Sequence, residues 1–370
     1  MRTLRNYLRF LAAVQLLPAL ESGEETLVGG QAVLEGVMMR SPHAWAIACR
    51  KPSGEVVTMS EPLERPSEKH KWMAWPIVRG VMTLGYAMTL GYRALRFSAN
   101  VALEDMMEGQ QESNVAAAKT NHVATAASAV PPARSAAESS QLQKSSSSSS
   151  AQSREKAATV SNWLAAGNLL ISLAFFIFMY KYVPLLAATE LKKMDPALGG
   201  RIVFNLIDGG IRLLLFLLFI WGVSLWKDIR RVYEYHGAEH KTVFAFENGD
   251  PLSIVEVQKY STYHPRCGTS FLMTVMLISI GFYMLVPFTT FWARFASRIA
   301  LLPLIAGVSY EIIRFAAKHR GSLFALMTAP GLWLQRITTK PPSDEMAQCA
   351  IAALDHSAGV AAAFRPRIGI

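Results

Sequence analysis

Charge is scarce in this sequence. Asp, Glu, Lys and Arg make up 17% of its 370 residues, against about a quarter in soluble domains, which argues against a chain built only of water-soluble units. Cysteine is scarcer. Cys49, Cys267 and Cys349 are odd in number, far apart and in no CxxC pair. They form no disulfide framework, and they fit polar segments facing a reducing cytoplasm. No helix-turn-helix, zinc-finger or RNA-binding pattern accompanies the formal net charge of +10, so nucleic acid is not the expected partner. The basic residues instead sit beside apolar blocks, as at Lys227, Arg230, Arg231, Lys318 and Arg320. A lipid bilayer is the simpler partner for charge placed that way.

Apolar sequence is what the chain has in quantity. Hydrophobic residues are 51% of the total, and between Trp163 and Phe315 they cluster into four blocks: 162–187, 203–226, 270–292 and 298–317. Each is near the roughly 20 residues that cross a hydrocarbon core of about 30 Å. Trp163, Tyr180, Tyr182, Trp221, Trp226 and Trp292 lie towards their ends, where amphipathic rings favour the interface. The fold class read from this pattern is mainly α: a polytopic helical membrane protein of about four spans with a small N-terminal β unit. Four crossings put the linker, the central segment and the C-terminal tail on one side, with Arg154, Lys156, Lys227, Arg230, Arg231, Lys318 and Arg320 near the spans. The other side carries Lys192, Lys193, Arg201, Arg294 and Arg298. The bias favours a cytoplasmic central segment and tail.

Around these blocks the organisation is as follows. Residues 1–26 form an N-terminal arm in which Arg2, Arg5 and Arg9 precede the apolar run Phe10–Leu20. No clean small-x-small cleavage site follows, so a helix resting on the membrane is preferred over a cleaved signal. Residues 27–62 read as a β unit. Trp45, Ile47 and Cys49 alternate on one face, Lys51–Gly54 carries turn chemistry and Glu55–Met59 returns, which by itself describes a surface hairpin. Residues 72–103 form an apolar or interfacial helix. Its core, Pro76–Tyr92, contains Gly80, Gly85 and Gly91 and is a marginal span, with an interfacial or re-entrant helix as the alternative. Residues 104–158 collapse to Ala, Ser, Gln and Glu and read as a disordered linker. The last stretch, 318–370, reads as an interfacial tail anchored by Trp333, with Asp344–Leu354 a short soluble helix.

The densest chemistry lies at 228–269, between the second and third blocks. His236-Gly237-Ala238-Glu239-His240 is an H-x-x-E-H pattern. Positions i, i+3 and i+4 share one face of a helix, so the three side chains project together. Two imidazoles one turn apart can hold a zinc ion, and a nearby carboxylate can act as general base. The spacing is that of the inverted zinc-protease motif. No acidic third ligand stands at a matching distance downstream, which counts against proteolysis. His264 and Cys267 follow in Tyr263–Gly268, and either could return as a third ligand. The bland account has His236 and His240 bonded to carbonyls and Glu239 paired with a neighbouring cation.

A second polar group lies inside the apolar blocks. Asn205, Asp208 and Arg212 share a face of the second, and Glu311 and Arg314 stand one turn apart in the fourth. Ionisable groups in a bilayer mark bundle interiors or pathways, and mutual pairing that locks the helices is the simpler reading. Gln31, Glu35 and Arg40 lie in the glycine-rich stretch Gly29–Arg40, where physics alone supports a tight turn.

Four stretches together resemble the YqhQ-like bacterial membrane protein family (domain of unknown function, DUF 1385). They are Gly29–Arg40, His236–Thr242, Tyr260–Ser270 and Ala329-Pro330-Gly331-Leu332-Trp333-Leu334-Gln335. The resemblance implies a multi-pass protein of the bacterial inner membrane, in a group labelled a predicted metal-dependent enzyme. The function expected is therefore a membrane-bound zinc-dependent hydrolase. His236 and His240 are its ligands, His264 or Cys267 the third, and Glu239 the general base. A scaffold or assembly factor closed by a structural metal is the alternative, and a small-solute carrier using Asp208, Arg212 and Glu311 a third.

Overall fold

Alternation sets the N-terminal unit. In the computed structural model, which describes residues 28–63, 75, 77–123, 167–168, 170–265, 267–318 and 329–364, four strands form an antiparallel meander. They are β1 (Gly29–Val33), β2 (Gly36–Arg40), β3 (Ala44–Arg50) and β4 (Val56–Pro62), in that spatial order. Leu34 and Glu35 make the first turn, Glu35 at φ 51°, and Gly54 at φ 93° shapes the last. Side chains two apart leave the sheet on the same face. Val37, Met39 and Ala48 meet one cluster of buried side chains; Val33, Met38, Trp45, Ile47 and Cys49 meet another. Both faces of β2 and β3 are covered, so the expected surface hairpin is the middle of a three-layer unit. Burial pushes the Cys49 thiol up to about 12 and the Cys349 thiol up to about 11, which leaves both protonated near neutral pH.

The layers that cover the sheet come from far along the chain. Helix α1 (Val78–Val123) lies on one face through Leu90, Ala94 and Val101. It runs about twenty residues into the segment assigned above to a disordered linker. The rest of that linker, like the N-terminal arm, falls outside the described residues. The first turns of α1 also lean on the helical bundle. Arg79 pairs with Glu311 through both guanidinium edges, and a side chain at Gly80 would meet Tyr310 Cβ at 2.8 Å and Gly307 Cα at 3.1 Å.

Among the described residues three helices are long and apolar enough to cross a membrane: α2 (Leu170–Met194), α3 (Arg201–Val223) and, further on, α6 (Gly268–Leu285). Between α3 and α6 stand α4 (Lys227–Asn248) and the short α5 (Ile254–Gln258). The fourth apolar block is two helices, α7 (Phe291–Ala300) and α8 (Leu302–Lys318), bent by 48°. Pro303 has no N–H to continue the ladder across Leu301, which accounts for the break. Proline acts in α2 as well. A π-helical turn, Phe178–Tyr182, precedes Pro184. The Tyr180 carbonyl that Pro184 cannot serve accepts Arg212 Nε at 3.1 Å instead. Large apolar side chains of α2, among them Leu170, Ile171, Leu173 and Phe175, face outwards with no protein over them.

The C-terminal region packs on both the helical bundle and the sheet. Helix α9 (Ala329–Thr338) packs along α6, where a side chain at Gly331 would meet Ser270 Cα at 2.5 Å. Helix α10 (Asp344–Phe364) covers the second face of the sheet with α4, burying Met346, Cys349, Ala350, Ala353 and Leu354 against Val37, Met39 and Ala48. Leu354 is fully enclosed, so Leu354→Ala is expected to lower stability by about 3 kcal/mol in equilibrium unfolding of the purified protein. An unchanged midpoint would show that α10 is not docked.

Candidate metal centre

Helix α4 carries the H-x-x-E-H residues. It starts with Asp228 in its first turn, where acid suits the helix dipole, and stops at Gly249, whose φ of 74° suits glycine. The 3.6-residue period brings His236 and His240 together, ring centroids 4.4 Å apart. Each ring is held from behind. His236 Nδ1 lies 2.8 Å from the Thr338 carbonyl and His240 Nδ1 lies 2.5 Å from the Thr262 carbonyl. A carbonyl only accepts, so both Nδ1 atoms carry the proton and both Nε2 atoms present a lone pair.

Cys267 closes the group. Its Sγ stands 3.1 Å from His236 Nε2, and its place at the N-cap of α6 also gives it the Thr269 amide. The two ring nitrogens and Sγ all lie within 4.8 Å of one another, a set that one tetrahedral ion can gather. Cys267 Sγ is also 3.0 Å from the Thr269 hydroxyl. His240 Nε2 is buried and has no hydrogen-bond partner. Beside it sits Glu239, whose Oε2 is 3.5 Å from His240 Nε2 and 4.0 Å from His236 Nε2. Two ring nitrogens, a sulfur and a carboxylate oxygen thus converge, a donor set that fits a bound cation. Burial holds the Glu239 carboxyl above the usual range, against the pull of His236, His264 and the Gly30 amide. Burial likewise pushes His240 down and so favours the neutral, ligating ring.

Glu239 is itself oriented. Its Oε1 accepts the Gly30 N–H of β1 at 2.9 Å, and a side chain at Gly30 would meet Glu239 Cγ at 2.7 Å. His264 is not in the three-residue group. It stands behind His240, ring centroids 5.6 Å apart, with Nε2 3.5 Å from Glu247 and its ring 4.5 Å from Phe244. The backbone of His264 is clasped by Gln335: Oε1 accepts its N–H at 2.8 Å, and Nε2 donates to its carbonyl at 2.8 Å and to Ser270 Oγ at 2.9 Å. Nothing in the chemistry of Gln335 marks it beforehand; its one signal is its place in the Ala329–Gln335 stretch.

The remaining candidates are structural neighbours or lie elsewhere. Glu35 accepts Arg231 and, at 3.3 Å, the Tyr235 hydroxyl, tying the first hairpin to α4. Gln31 rests on Gly91 of α1, and Arg40 pairs with Trp45 at the end of β2. Asp208 and Arg212 bond to each other at 2.5 Å and meet Arg298, which the sequence reading counted among the far-side charges at the start of the fourth block. Glu311 takes Arg79 of α1 as its partner, and Arg314 stands a turn further along α8.

Mass spectrometry of the detergent-purified chain is expected to find about one zinc per chain. It should be lost from His236→Ala/His240→Ala and from Cys267→Ala, and kept in His264→Ala. Metal lost with His264 and kept without Cys267 would reassign the third ligand. Gly30→Ala is expected to weaken retention of the metal under a chelator, since the added methyl would meet the Met38 carbonyl at 2.5 Å and Glu239 Cγ at 2.7 Å and so push β1 and the Glu239 side chain apart. Unchanged retention would remove β1 from the site.

No solved structure matches this chain. It is 29% identical over 325 residues to the uncharacterized protein YqhQ of Bacillus subtilis (strain 168), an alignment covering 87% of this chain and 89% of that protein. The family described as "Protein of unknown function (DUF1385)" matches residues 75–359, from before α1 into α10 and so across the whole His/Cys group. On that match the chain belongs to the DUF1385 family.

Proposed function

We propose that this is a multi-pass membrane protein with a zinc-dependent hydrolase centre on one membrane face. His236, His240 and Cys267 are its ligands and Glu239 its general base. The observation that carries the reading is the convergence of the buried His240 Nε2, turned inward by the bond of its Nδ1 to the Thr262 carbonyl, with His236 and Cys267 within 4.8 Å of one another. Three protein ligands leave one position for water or substrate, the pattern of catalytic rather than structural zinc. A zinc ion held there would polarise a scissile bond and lower the pKa of bound water. The protein's own part is to hold the two rings by their carbonyls and to keep Glu239 beside the open position. His236 keeps 14% of its side-chain surface exposed against 1% for His240, so access is from the His236 side.

Membrane insertion is supported by α2, α3 and α6, by the bent α7–α8 pair and by the bare apolar surface of α2. Cys267 is the N-cap of α6, which supports a centre at the water boundary of that helix. Lys227, Arg230 and Arg231 on this side favour the cytoplasmic face of a bacterial inner membrane. A second reading rests on Glu239: Oε2 is near enough to both rings to become a fourth ligand, which would make the metal structural and the protein a scaffold.

Glu239→Gln separates the two. The hydrolase reading expects turnover of ester, amide or phosphate-ester reporters to fall by about 10²–10⁴-fold while zinc content and the visible spectrum of cobalt-substituted protein stay the same. Loss of metal, or a spectral change showing a lost ligand with no activity in the wild type, would establish the closed site instead.

A further inference from the structure

The metal centre uses none of the charge inside the helical bundle. There, Asp208, Arg212 and Arg298 are almost wholly buried. Asp208 Oδ2 accepts Arg212 Nη2 at 2.5 Å and Oδ1 accepts Arg298 Nη1 at 2.6 Å, so both carboxylate oxygens are engaged. Arg212 also donates to Ser279 Oγ at 3.0 Å and to the Tyr180 carbonyl, and Arg298 to Asn205 Oδ1 at 3.3 Å. A third cation joins them. Lys181 Nζ donates to Tyr283 Oη at 2.9 Å. Its ammonium and the guanidiniums of Arg212 and Arg298 lie 5.4, 5.0 and 5.1 Å from the centre of the same Tyr283 ring.

Donors outnumber acceptors here. A guanidinium has five N–H donors and an ammonium three; Arg212 makes three hydrogen bonds, Arg298 two and Lys181 one. Among the described residues the cluster holds three cations to one carboxylate. Uncompensated positive charge in an apolar bundle is costly unless it is paired or wetted. A further acceptor carrying negative charge would balance the cluster.

We propose that Lys181, Arg212, Arg298 and Tyr283 form a binding site for a small anion inside the bundle. Asp208 lies seven residues into α3, about 10 Å along the helix from the end that faces away from α4. The site thus lies towards the membrane face opposite the metal centre. Arg298 stands in the last turn of α7, just before the 48° break. Broken helices around polar sites near the bilayer midplane are a recurring arrangement for binding ions and small solutes. Asp208 holds the two arginines in register, and Lys181, which shares no carboxylate with them, supplies the charge that the anion meets.

The test is isothermal titration of the detergent-purified full chain, exchanged into gluconate buffer, with chloride, formate and inorganic phosphate in turn. Saturable binding of about one anion per chain is expected for at least one probe. Chloride alone would indicate a halide site; formate or phosphate would indicate an oxyanion site. Lys181→Met is expected to weaken binding by at least about tenfold, Lys181→Arg to restore it, and Asp208→Asn to tighten it by removing the competing carboxylate. Wild-type protein that binds none of the three, or affinity unchanged in Lys181→Met, would overturn the proposal and leave water or an uncharged amine as the answer to the excess of donors. Circular dichroism of the Lys181 variants guards against reading misfolding as lost affinity.

Discussion

Two backbone carbonyls govern this molecule. Thr338 and Thr262 each hold the Nδ1 of one imidazole, and because a carbonyl cannot donate, each turns the opposite nitrogen inward as a lone pair. The two carbonyls come from the end of α9 and from the loop before α6, so neither ring is positioned by α4 alone. Those segments must themselves be fixed. Gln335 does this with three hydrogen bonds to His264 and Ser270, and Gly331 lets α9 approach α6 closely. The Lys340 amide bonds the Tyr233 carbonyl, and Gly237 leaves room for the Lys340 carbonyl against α4. The sheet serves the same end from the other side, through the Gly30 amide on Glu239.

Polar groups are buried at two levels, with different consequences. Around α4 they are neutral or share protons: imidazoles, a thiol and a carboxyl whose burial favours its protonated form. Such a group gains most from a cation. Inside the bundle the balance is reversed, with guanidinium and ammonium donors exceeding their acceptors. The same cost of desolvation thus acts on groups of opposite character at the two levels. Proline shapes the second level, since Pro184 frees the carbonyl that Arg212 uses and Pro303 interrupts the helix that carries Arg298.

Much of this was legible beforehand. The 3.6-residue period placed His236, Glu239 and His240 on one face, the period of two placed Trp45, Ile47 and Cys49 together, and apolar runs located the long helices. Less legible was whatever depends on distant segments meeting. The choice of Cys267 over His264 is set by a loop that Gln335 pins from 71 residues away. Asp344–Leu354 reads as a short soluble helix, yet in the longer Asp344–Phe364 helix Ala350 and Ala353 are small enough to lie close on the sheet. Composition also misled at 104–123, where an Ala- and Glu-rich stretch continues a helix already nucleated by packed residues. Lys181 and Arg298 escaped because interfacial position and bundle interior look alike in a string of letters.

The central claim is that two imidazoles and one thiolate share an ion. X-ray absorption at the zinc edge, on purified wild type and on Cys267→Ser, tests it most directly. The account predicts one sulfur at about 2.3 Å with nitrogen or oxygen neighbours at about 2.0–2.1 Å, and loss of the sulfur shell in the variant. A wild-type spectrum with no sulfur neighbour, or one identical in the variant, would contradict it.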